Sequence, residues 1–301
     1  KQIKVSFVIP AHNEEKIIAK ALSNLYKLPY EKYEVLIGLD GCTDSTEKIV
    51  KSFSSKSKRF KSFNLKTRAG KPEVVDYLIK RAKGDIIIIN DADWIFRFND
   101  KNSLKKFFMI FSNEKIGGIA ESFPIEYVPD KLNKINSLGH LGSLWGNYVW
   151  MDFQKNKFTS RKNDKLYVKF SRNSFPFLTN IFRREFYNKN STLGDDFERT
   201  LDILNRDYKI LVKEDEYFPR MIAAYEKTDF KDITKQKERT AIARNQVFRK
   251  YGINVNIFNF YIPLMLYSLK NINKIKNIKG EFAFFVWLIT FCLGTIKNKL
   301  N

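Results

Sequence analysis

Four consecutive isoleucines, Ile86–Ile89, are the sequence feature that most constrains the fold. They lie between Asp85 and Asn90, and an unbroken apolar run of β-branched residues is typical of a strand that is buried on both faces. Strands of this kind occur at the centre of parallel sheets, where helices cover both faces of the sheet. The run therefore predicts an α/β protein with a mostly parallel sheet.

Strand and helix patterns alternate in the chain before this run. Strands are predicted for residues 5–10, 33–39 and 60–65, and each of them is followed by a helical pattern. The second helix is predicted to have its N-cap at Thr43 or Asp44, since short polar side chains cap helices well. This alternation predicts an open sheet flanked by helices, with right-handed connections between its strands.

Polar clusters follow the strands at the points where they end. The clusters are Pro10–Glu14, Asp40–Asp44 and Asp91–Asp93. In open α/β sheets, ligands bind beyond the carboxyl ends of the strands, near a switch in strand order. The sequence therefore predicts that the three clusters surround one crevice.

Asp91 and Asp93 form an Asp-x-Asp pair directly after the isoleucine strand. Residues i and i+2 of an extended chain point to the same side, so both carboxylates can face one ligand. Such a pair can hold a hard divalent cation, Mg²⁺ or Mn²⁺, against a diphosphate. The alternative for a lone pair is a solvated turn, but its position after a buried strand favours the metal site.

Three further residues of the first hundred are candidates for binding a nucleotide. Asp40 can accept hydrogen bonds from a nucleobase or a ribose, and its alternative role is to cap the next helix. Arg68 and Lys71 belong to a basic loop that can meet a diphosphate, and their alternative is to be surface charges. These residues therefore support the crevice as a nucleotide site without establishing it.

Positive charge is concentrated at the C-terminal end of the chain. The formal net charge is +21, and residues 231–301 contain 13 basic and 3 acidic side chains. The same region has two charge-free runs, Ile253–Leu269 and Phe282–Ile296. As a helix the second run is ~22 Å long at ~1.5 Å per residue, which is short of the ~30 Å hydrocarbon core. We therefore expect either an apolar helix in the headgroup region of an anionic membrane surface or a buried core helix with lysines at its ends.

A nucleic-acid-binding protein is the main alternative from another functional class. The net charge of +21 and the high aromatic content suggest it. However, we find no DNA- or RNA-recognition motif, and the charge accompanies the apolar C-terminal region rather than a regularly spaced basic helix. We therefore expect no nucleic acid partner.

The middle and the later parts of the chain differ in regularity. Residues 131–172 are rich in Trp, Tyr, Asn and Lys and show little periodicity, so we interpret them as a variable cover over the site. Helical periodicity returns at Gly194–Arg206, and a strand is predicted after it. Asp195 and Asp196 lie at the start of this helix, where carboxylates are favourable in any case.

An ordered set of motifs resembles the family 2 glycosyltransferases of the GT-A fold, over roughly residues 3–245. The motifs are FVIPAHNE, GLDGCTDST, RAGK, GDIIIINDAD, GDDFERTLDILNRDYKI and QKERT. The resemblance implies a Rossmann-like nucleotide-binding sheet flanked by helices. It also implies an inverting transferase that uses a nucleotide-sugar donor, such as a UDP- or GDP-sugar, with Mg²⁺ or Mn²⁺.

The resemblance also implies roles for individual residues. The expected nucleoside-binding positions are Pro10, Ala11, Glu14 and Asp40. Asp91 matches the family aspartate near the ribose and the phosphates, and Asp93 matches the aspartate that ligates the metal. Asp195 and Asp196 match the family's Glu-Asp pair, whose second member is the general base. Asp195 replaces the family's Glu with a shorter side chain.

Residues 236–240, QKERT, match the family's Gln-x-x-Arg-Trp motif. Gln236 and Arg239 correspond to the residues that reach the donor diphosphate and the acceptor site. Thr240 stands where the family has Trp, and this loss of an aromatic surface for sugar stacking argues against processive synthesis. The alternative to single-sugar transfer is a processive polysaccharide synthase, but such an enzyme needs several membrane-spanning helices.

Together these inferences predict a catalytic domain at residues 1–250 and a C-terminal helical, membrane-associating extension at residues 251–301. Within the first, residues 1–130 are expected to bind the nucleotide sugar and residues 131–250 the acceptor. The expected acceptor is a lipid-linked glycan or a glycolipid. Cys42 and Cys292 are far apart in the sequence and suggest no disulfide, which favours a reducing compartment and hence the cytoplasmic face of the cell membrane.

Overall fold

The computed structural model describes residues 3–120, 138–189, 192–212, 220–223, 230–272 and 278–297. The strands in these ranges are β1 Val5–Ala11, β2 Tyr33–Asp40, β3 Phe60–Leu65, β4 Ile86–Ile89, β5 Trp94–Arg97, β6 Ile116–Ala120, β7 Thr159–Lys162, β8 Lys165–Val168, β9 Ile181–Arg183, β10 Lys209–Val212 and β11 Arg220–Ala223. The helices are α1 Ile18–Tyr26, α2 Thr46–Lys56, α3 Lys71–Ile79, α4 Lys101–Met109, α5 Leu138–Lys157, α6 Asp195–Asn205, α7 Phe230–Tyr251, α8 Ile262–Lys270 and α9 Ile278–Lys297. A π-helical turn, Ile257–Tyr261, leads into α8.

The main sheet contains nine strands among the described residues, in the order β3-β2-β1-β4-β9-β6-β10-β8-β7. Seven of them run in one direction, and only β9 and β8 run against it. All four isoleucines of β4 are buried, as the apolar run predicts. The predicted α/β fold with a mostly parallel sheet flanked by helices is therefore confirmed.

The order of the strands switches direction between β1 and β4, which predicts a crevice beyond their carboxyl ends. β2 and β3 extend the sheet on one side of β1, and β4 then pairs with β1 on its other side. The carboxyl ends of β1 and β4 therefore lie side by side where the direction of chain progression reverses. Ligands bind at such a position in open α/β sheets.

The second helix begins later than the sequence predicts. Ser45 is its N-cap residue, so the prediction of a cap at Thr43 or Asp44 is wrong. Asp44 still contributes, because its carboxylate Oδ1 accepts a hydrogen bond from the backbone N–H of Thr46 at 2.9 Å. Asp44 therefore stabilises the start of the helix from the position directly before the N-cap residue.

Residues 131–172, whose sequence shows little periodicity, form regular elements where the structure describes them, and their role as a cover over the site stays a prediction. Residues 138–157 form the 20-residue helix α5, and β7 and β8 form a hairpin after it. Several sides of α5 are buried, by residues that include Leu141, Ser143, Trp145 and Met151. A helix that is buried on several sides has no polar face, so its sequence lacks the period of an amphipathic helix.

The C-terminal helix packs directly on α5 through two glycines. A Cβ atom on Gly142 would lie 2.4 Å from the carbonyl oxygen of Ala283, and one on Gly146 would lie 2.1 Å from the Trp287 ring. Ala283, Phe284 and Trp287 are buried in this contact. Small residues thus allow the close approach of α5 and α9, and part of α9 belongs to the core.

Other apolar side chains of the C-terminal region face away from this core. The exposed ones are Ile257, Phe258, Met265, Leu266, Leu269, Ile278, Phe282, Phe285 and Ile289. Within the described ranges, no helix has the length and the hydropathy that crossing a membrane requires.

Candidate active site

The loops that follow β1 and β2 are joined by hydrogen bonds at the edge of the crevice. The Asn13 side chain accepts the N–H of Thr43 at 2.8 Å. The backbone N–H of Glu14 donates to the Thr46 hydroxyl at 2.7 Å. These bonds position Glu14 beside the crevice, while Pro10 and Ala11 form the last residues of β1 below it.

Asp40 shapes the basic loop that precedes α3. Its buried carboxylate accepts the backbone N–H groups of Ala69 at 2.6 Å and Gly70 at 3.0 Å. The next residue, Gly41, has a φ of +60°, and a Cβ atom there would lie 2.9 Å from the backbone nitrogen of Arg68. Asp40 thus holds the loop from Arg68 to Lys71 against the sheet, and its predicted contact with a nucleoside stays a prediction.

Lys71 interacts electrostatically with both sets of acidic residues. Its Nζ atom is 2.8 Å from a carboxylate oxygen of Asp91, and both side chains are about one third to two fifths exposed, at 42% and 36%. Burial lowers the pKa of Lys71, but the charges of Asp91, Asp195 and Asp196 outweigh it and raise the pKa above its usual range. The amine is therefore charged at neutral pH.

Glu14, Asp91 and Asp93 form an acidic cluster at the carboxyl ends of β1 and β4. Burial, followed by repulsion from Asp91, raises the pKa of Asp93. Burial raises the pKa of Glu14 as well, with smaller contributions from Asp93 and Asp91. Lys71 offsets only part of this negative charge, so the cluster favours binding of a further cation.

The donor set of this cluster fits a divalent metal ion that also binds a diphosphate. In the described part of the chain, no three His, Cys, Asp or Glu side chains are arranged as a complete metal site. Mg²⁺ commonly takes only one or two carboxylates from the protein and completes its coordination with phosphate oxygens and water. Asp93 and Asp91 are therefore the residues of this cluster that could hold a metal ion that arrives with a nucleotide.

Asp195 is held by a buried ion pair at the start of α6. Its Oδ2 atom lies 2.9 Å from Nη1 of Arg199, whose side chain is 1% exposed. Burial raises the pKa of Asp195, but Arg199 and Lys71 outweigh this effect and keep the pKa below its usual value. Asp195 is thus ionised and fixed, which suits a residue that supports its neighbour.

Arg199 is a functional residue that the sequence analysis missed. Its guanidinium also donates to the carbonyl oxygen of Thr179 at 3.1 Å and to Oδ1 of Asn180 at 2.5 Å. The available signal was the spacing of four residues between Asp195 and Arg199, which puts opposite charges on one face of a helix.

Asp196 has the opposite protonation behaviour from Asp195. Burial and the adjacent charge of Asp195 raise its pKa to about 6, while Lys71 and Arg199 partly offset them. One carboxylate oxygen, Oδ1, accepts the backbone N–H of Phe197 at 2.9 Å. A carboxylate with a pKa near neutral pH is suited to accept a proton in a reaction.

The structure therefore brings the two predicted acidic sites together around Lys71. The amine is close enough to Asp91, Asp195 and Asp196 for all three to affect its pKa. Arg68 is exposed on the neighbouring loop. Gln236 and Arg239 lie in the first half of α7, where Arg239 is exposed and the side chain of Gln236 is outside the described part, so their contact with a diphosphate stays a prediction.

Comparison with known proteins identifies the family. Residues 6–173, more than half of the chain, match the sequence model of glycosyl transferase family 2. The chain belongs to this family. It is therefore a glycosyltransferase, as the ordered motifs predicted, and its acidic crevice is the candidate active site of that enzyme.

A curated relative of this glycosyltransferase covers nearly the whole chain. It is the dolichyl N-acetyl-alpha-D-glucosaminyl phosphate 3-beta-D-2,3-diacetamido-2,3-dideoxy-beta-D-glucuronosyltransferase of Methanococcus voltae. The two proteins are 25% identical over 97% of this chain and 87% of the relative. The similarity thus extends beyond the family match into the C-terminal half.

Two solved structures share the fold of this glycosyltransferase. The mannosyltransferase PcManGT from Pyrobaculum calidifontis, in complex with GDP-Man and Mn²⁺, aligns with a TM-score of 0.63 at 13% identity, over 99% of this chain and 88% of its own. S. aureus TarS 1-349, in complex with UDP-GlcNAc, aligns with a TM-score of 0.51 at 16% identity, over 97% and 82%. At these identities the likeness shows a common GT-A-like fold.

Proposed function

We propose that this glycosyltransferase moves one sugar, with inversion, from a nucleotide sugar to a hydroxyl group of a membrane-associated acceptor in a metal-dependent reaction. The observation that carries the proposal is that Lys71 forms an ion pair with Asp91 and is also near enough to Asp195 and Asp196 for their charges to raise its pKa. A donor whose diphosphate lies beside Asp91 then has its sugar directed toward the start of α6. One cleft thus serves both ends of the reaction.

Asp93, together with Asp91, would hold the divalent ion. The raised pKa of Asp93, which burial and Asp91 cause, indicates a site where added positive charge is stabilising. When bound, the ion supplies neutralisation of the negative charge that develops on the departing diphosphate. Lys71 contributes a second positive charge on the same side. The complex of PcManGT with GDP-Man and Mn²⁺ supports a divalent ion in the reaction.

Asp196 would act as the general base. As the acceptor oxygen forms its bond to the anomeric carbon, its proton passes to the Asp196 carboxylate, and the bond from that carbon to the diphosphate oxygen breaks. Attack from the face opposite the leaving group inverts the anomeric configuration. Asp195, fixed by Arg199, holds the first turn of α6 in place.

The acceptor is proposed to be a lipid-linked glycan or glycolipid. The M. voltae relative acts, by its name, on a dolichyl-linked sugar phosphate. The exposed apolar side chains of the π-helical turn, α8 and α9 lie in the region that carries the excess of positive charge. Such a surface suits the headgroup region of an anionic leaflet, which we infer to be the cytoplasmic face of the cell membrane.

Thermal unfolding in the presence of nucleotide sugars tests the donor and the metal. A donor at about 100 times its Kd stabilises the folded state by about 2.7 kcal/mol. We expect at least one UDP- or GDP-sugar to raise Tm with Mn²⁺ or Mg²⁺ and to lose this effect with EDTA. A Tm rise with DNA alone, and with no nucleotide sugar, would favour the nucleic-acid-binding alternative and overturn the proposal.

Vesicle flotation tests the membrane surface. Phe258 is 78% exposed and Leu266 is 58% exposed, and we expect replacement of both by Asp to reduce binding to vesicles of anionic lipid. Two buried apolar contacts with lipid are then replaced by charges that the anionic surface repels. Met109→Asp is the matched control, because Met109 is 49% exposed on α4, outside this region. Equal flotation of all three proteins would contradict the proposed surface.

A further inference from the structure

The turn before α6 is held by a buried carboxylate. Glu198 has 1% of its side chain exposed, and its Oε2 atom accepts both the backbone N–H of Thr192 at 3.1 Å and its hydroxyl at 2.7 Å. The Thr192 hydroxyl in turn accepts the N–H of Gly194 at 3.3 Å. Glu198 therefore fixes the conformation of the turn that leads into Asp195 and Asp196.

Helix α7 holds the same turn from the other side. Lys250 donates from Nζ to Oε1 of Glu198. Four residues earlier, Gln246 accepts the backbone N–H of Leu193 at 2.9 Å. Val247 packs so closely that a Cβ atom on Gly194 would lie 2.8 Å from its Cγ2 atom. The turn is thus fastened to α7 by two polar contacts and one apolar contact.

The same helix begins near the motif that is expected to meet the donor. Arg239 precedes Gln246 by seven residues, which is about 10 Å along a helix. A single rigid element therefore carries both Arg239 and the contacts that hold the turn before Asp196. Gln246 and Lys250 lie outside the motifs that carry the family resemblance, and Glu198 lies within the one that begins at Gly194 but has no role assigned to it there.

We propose that Glu198 and Lys250 are positioning residues for the transfer reaction, and that they aim Asp196 at the acceptor hydroxyl by fastening its turn to α7. The inference rests on the proposed function, because it needs Asp196 as the base. Displacement of a reacting group by about 1 Å can reduce a rate about 10²-fold. Because Glu198 is buried, we expect its ion pair with Lys250 to be rigid enough to prevent a displacement of this size.

The test compares Lys250→Met with Arg249→Met in the full chain. Lys250→Met is expected to lower kcat about 10- to 100-fold with little change in the KM for the donor, because binding groups stay in place while the base is displaced. Lys250→Arg is expected to restore most of kcat. Arg249 is the neighbouring exposed cation of α7, and its substitution is expected to leave kcat unchanged.

A second variant and a double-mutant cycle separate positioning from a general loss of structure. If Lys250→Met does not fold, Gln246→Ala takes its place, because it removes an exposed contact with the same turn. We expect Gln246→Ala to lower kcat as well. In an Asp196→Asn background, Lys250→Met is expected to have little further effect, since the base is already absent. Equal losses in both backgrounds, or a loss that appears in KM alone, would overturn the inference.

The outcomes also distinguish this inference from the function on which it rests. If the wild-type protein transfers sugar and Lys250→Met and Gln246→Ala both match Arg249→Met, the positioning role is wrong and the proposed function stands. If the wild-type protein neither binds nor transfers any nucleotide sugar, both are wrong.

Discussion

Replacing Asp196 by Asn is expected to lower the rate of sugar transfer about 10²–10⁴-fold, which is the usual contribution of a general base. Asn has nearly the same shape as Asp but cannot accept the proton of the acceptor hydroxyl. The measurement is the initial rate at saturating donor and acceptor. Asp164→Asn is a suitable control, because Asp164 is an exposed turn residue with a φ of +55°, a conformation that Asn also tolerates.

The affinity for the donor separates this role from a structural one. The Asp196→Asn protein is expected to bind the nucleotide sugar about as well as the wild-type protein, since the proposed position of the diphosphate is on the side of Asp91 and Lys71. Its folding is also expected to survive, because ionised Asp196 is repelled by Asp195 in the native protein. Turnover at the wild-type rate would remove Asp196 as the base.

The pH dependence of the same reaction gives a second readout. The pKa of Asp196 is raised to about 6 by burial and by Asp195, so the carboxylate is ionised above that pH and protonated below it. We therefore expect kcat of the wild-type protein to fall as the pH decreases through about 6, and this fall to be absent from the residual activity of Asp196→Asn. The raised pKa also means that ionisation of this group destabilises the folded state as the pH rises toward about 6.

Replacing Asp93 by Asn is expected to remove the metal-dependent part of donor binding. A bound metal ion that acts as a Lewis acid contributes several kcal/mol, and each 1.36 kcal/mol is a factor of ten in rate. We therefore expect a loss of about 10²-fold or more in transfer, together with loss of the rise in Tm that Mn²⁺ adds to the donor. Titration of the metal at fixed donor concentration measures both effects.

Asp207→Asn is the matched control for the metal site. Asp207 is exposed in the turn between α6 and β10 and has a φ of +59°, so Asn fits the same backbone. It is expected to keep the metal-dependent rise in Tm. An Asp93→Asn protein that retains this rise and full activity would place the metal elsewhere or show that none is needed.

Several parts of the structure were predictable because their cause is local in the chain. β4 follows from four adjacent isoleucines, and α1 follows from the spacing of its buried residues Ile18, Leu22 and Leu25. The limits of β3, Phe60–Leu65, agree with the prediction. Asp91 lies beside the crevice because it comes directly after a central strand, which places it at the sheet's carboxyl edge.

Other parts were not predictable, because their cause lies in distant residues. The helix α5 has no amphipathic period, since α9 covers the side that would otherwise be polar. The reason for glycine at positions 142 and 146 is visible only in the fold, where Ala283 and Trp287 leave no space for a larger side chain. The hydrogen bonds that Asp40 accepts from the N–H groups of Ala69 and Gly70 were not predictable either, because these residues are about 30 positions away in the chain.

The sequence by itself determined the central sheet, the order of the motifs and the chemical types of the acidic residues, because periodicity and strand ends are properties of neighbouring residues. Only the tertiary structure decided that Asp195 and Asp196 have opposite pKa shifts. That difference depends on Arg199, on Lys71 from another loop and on burial. Electrostatic interactions act through space, and two adjacent aspartates acquire different roles only when the fold surrounds them differently.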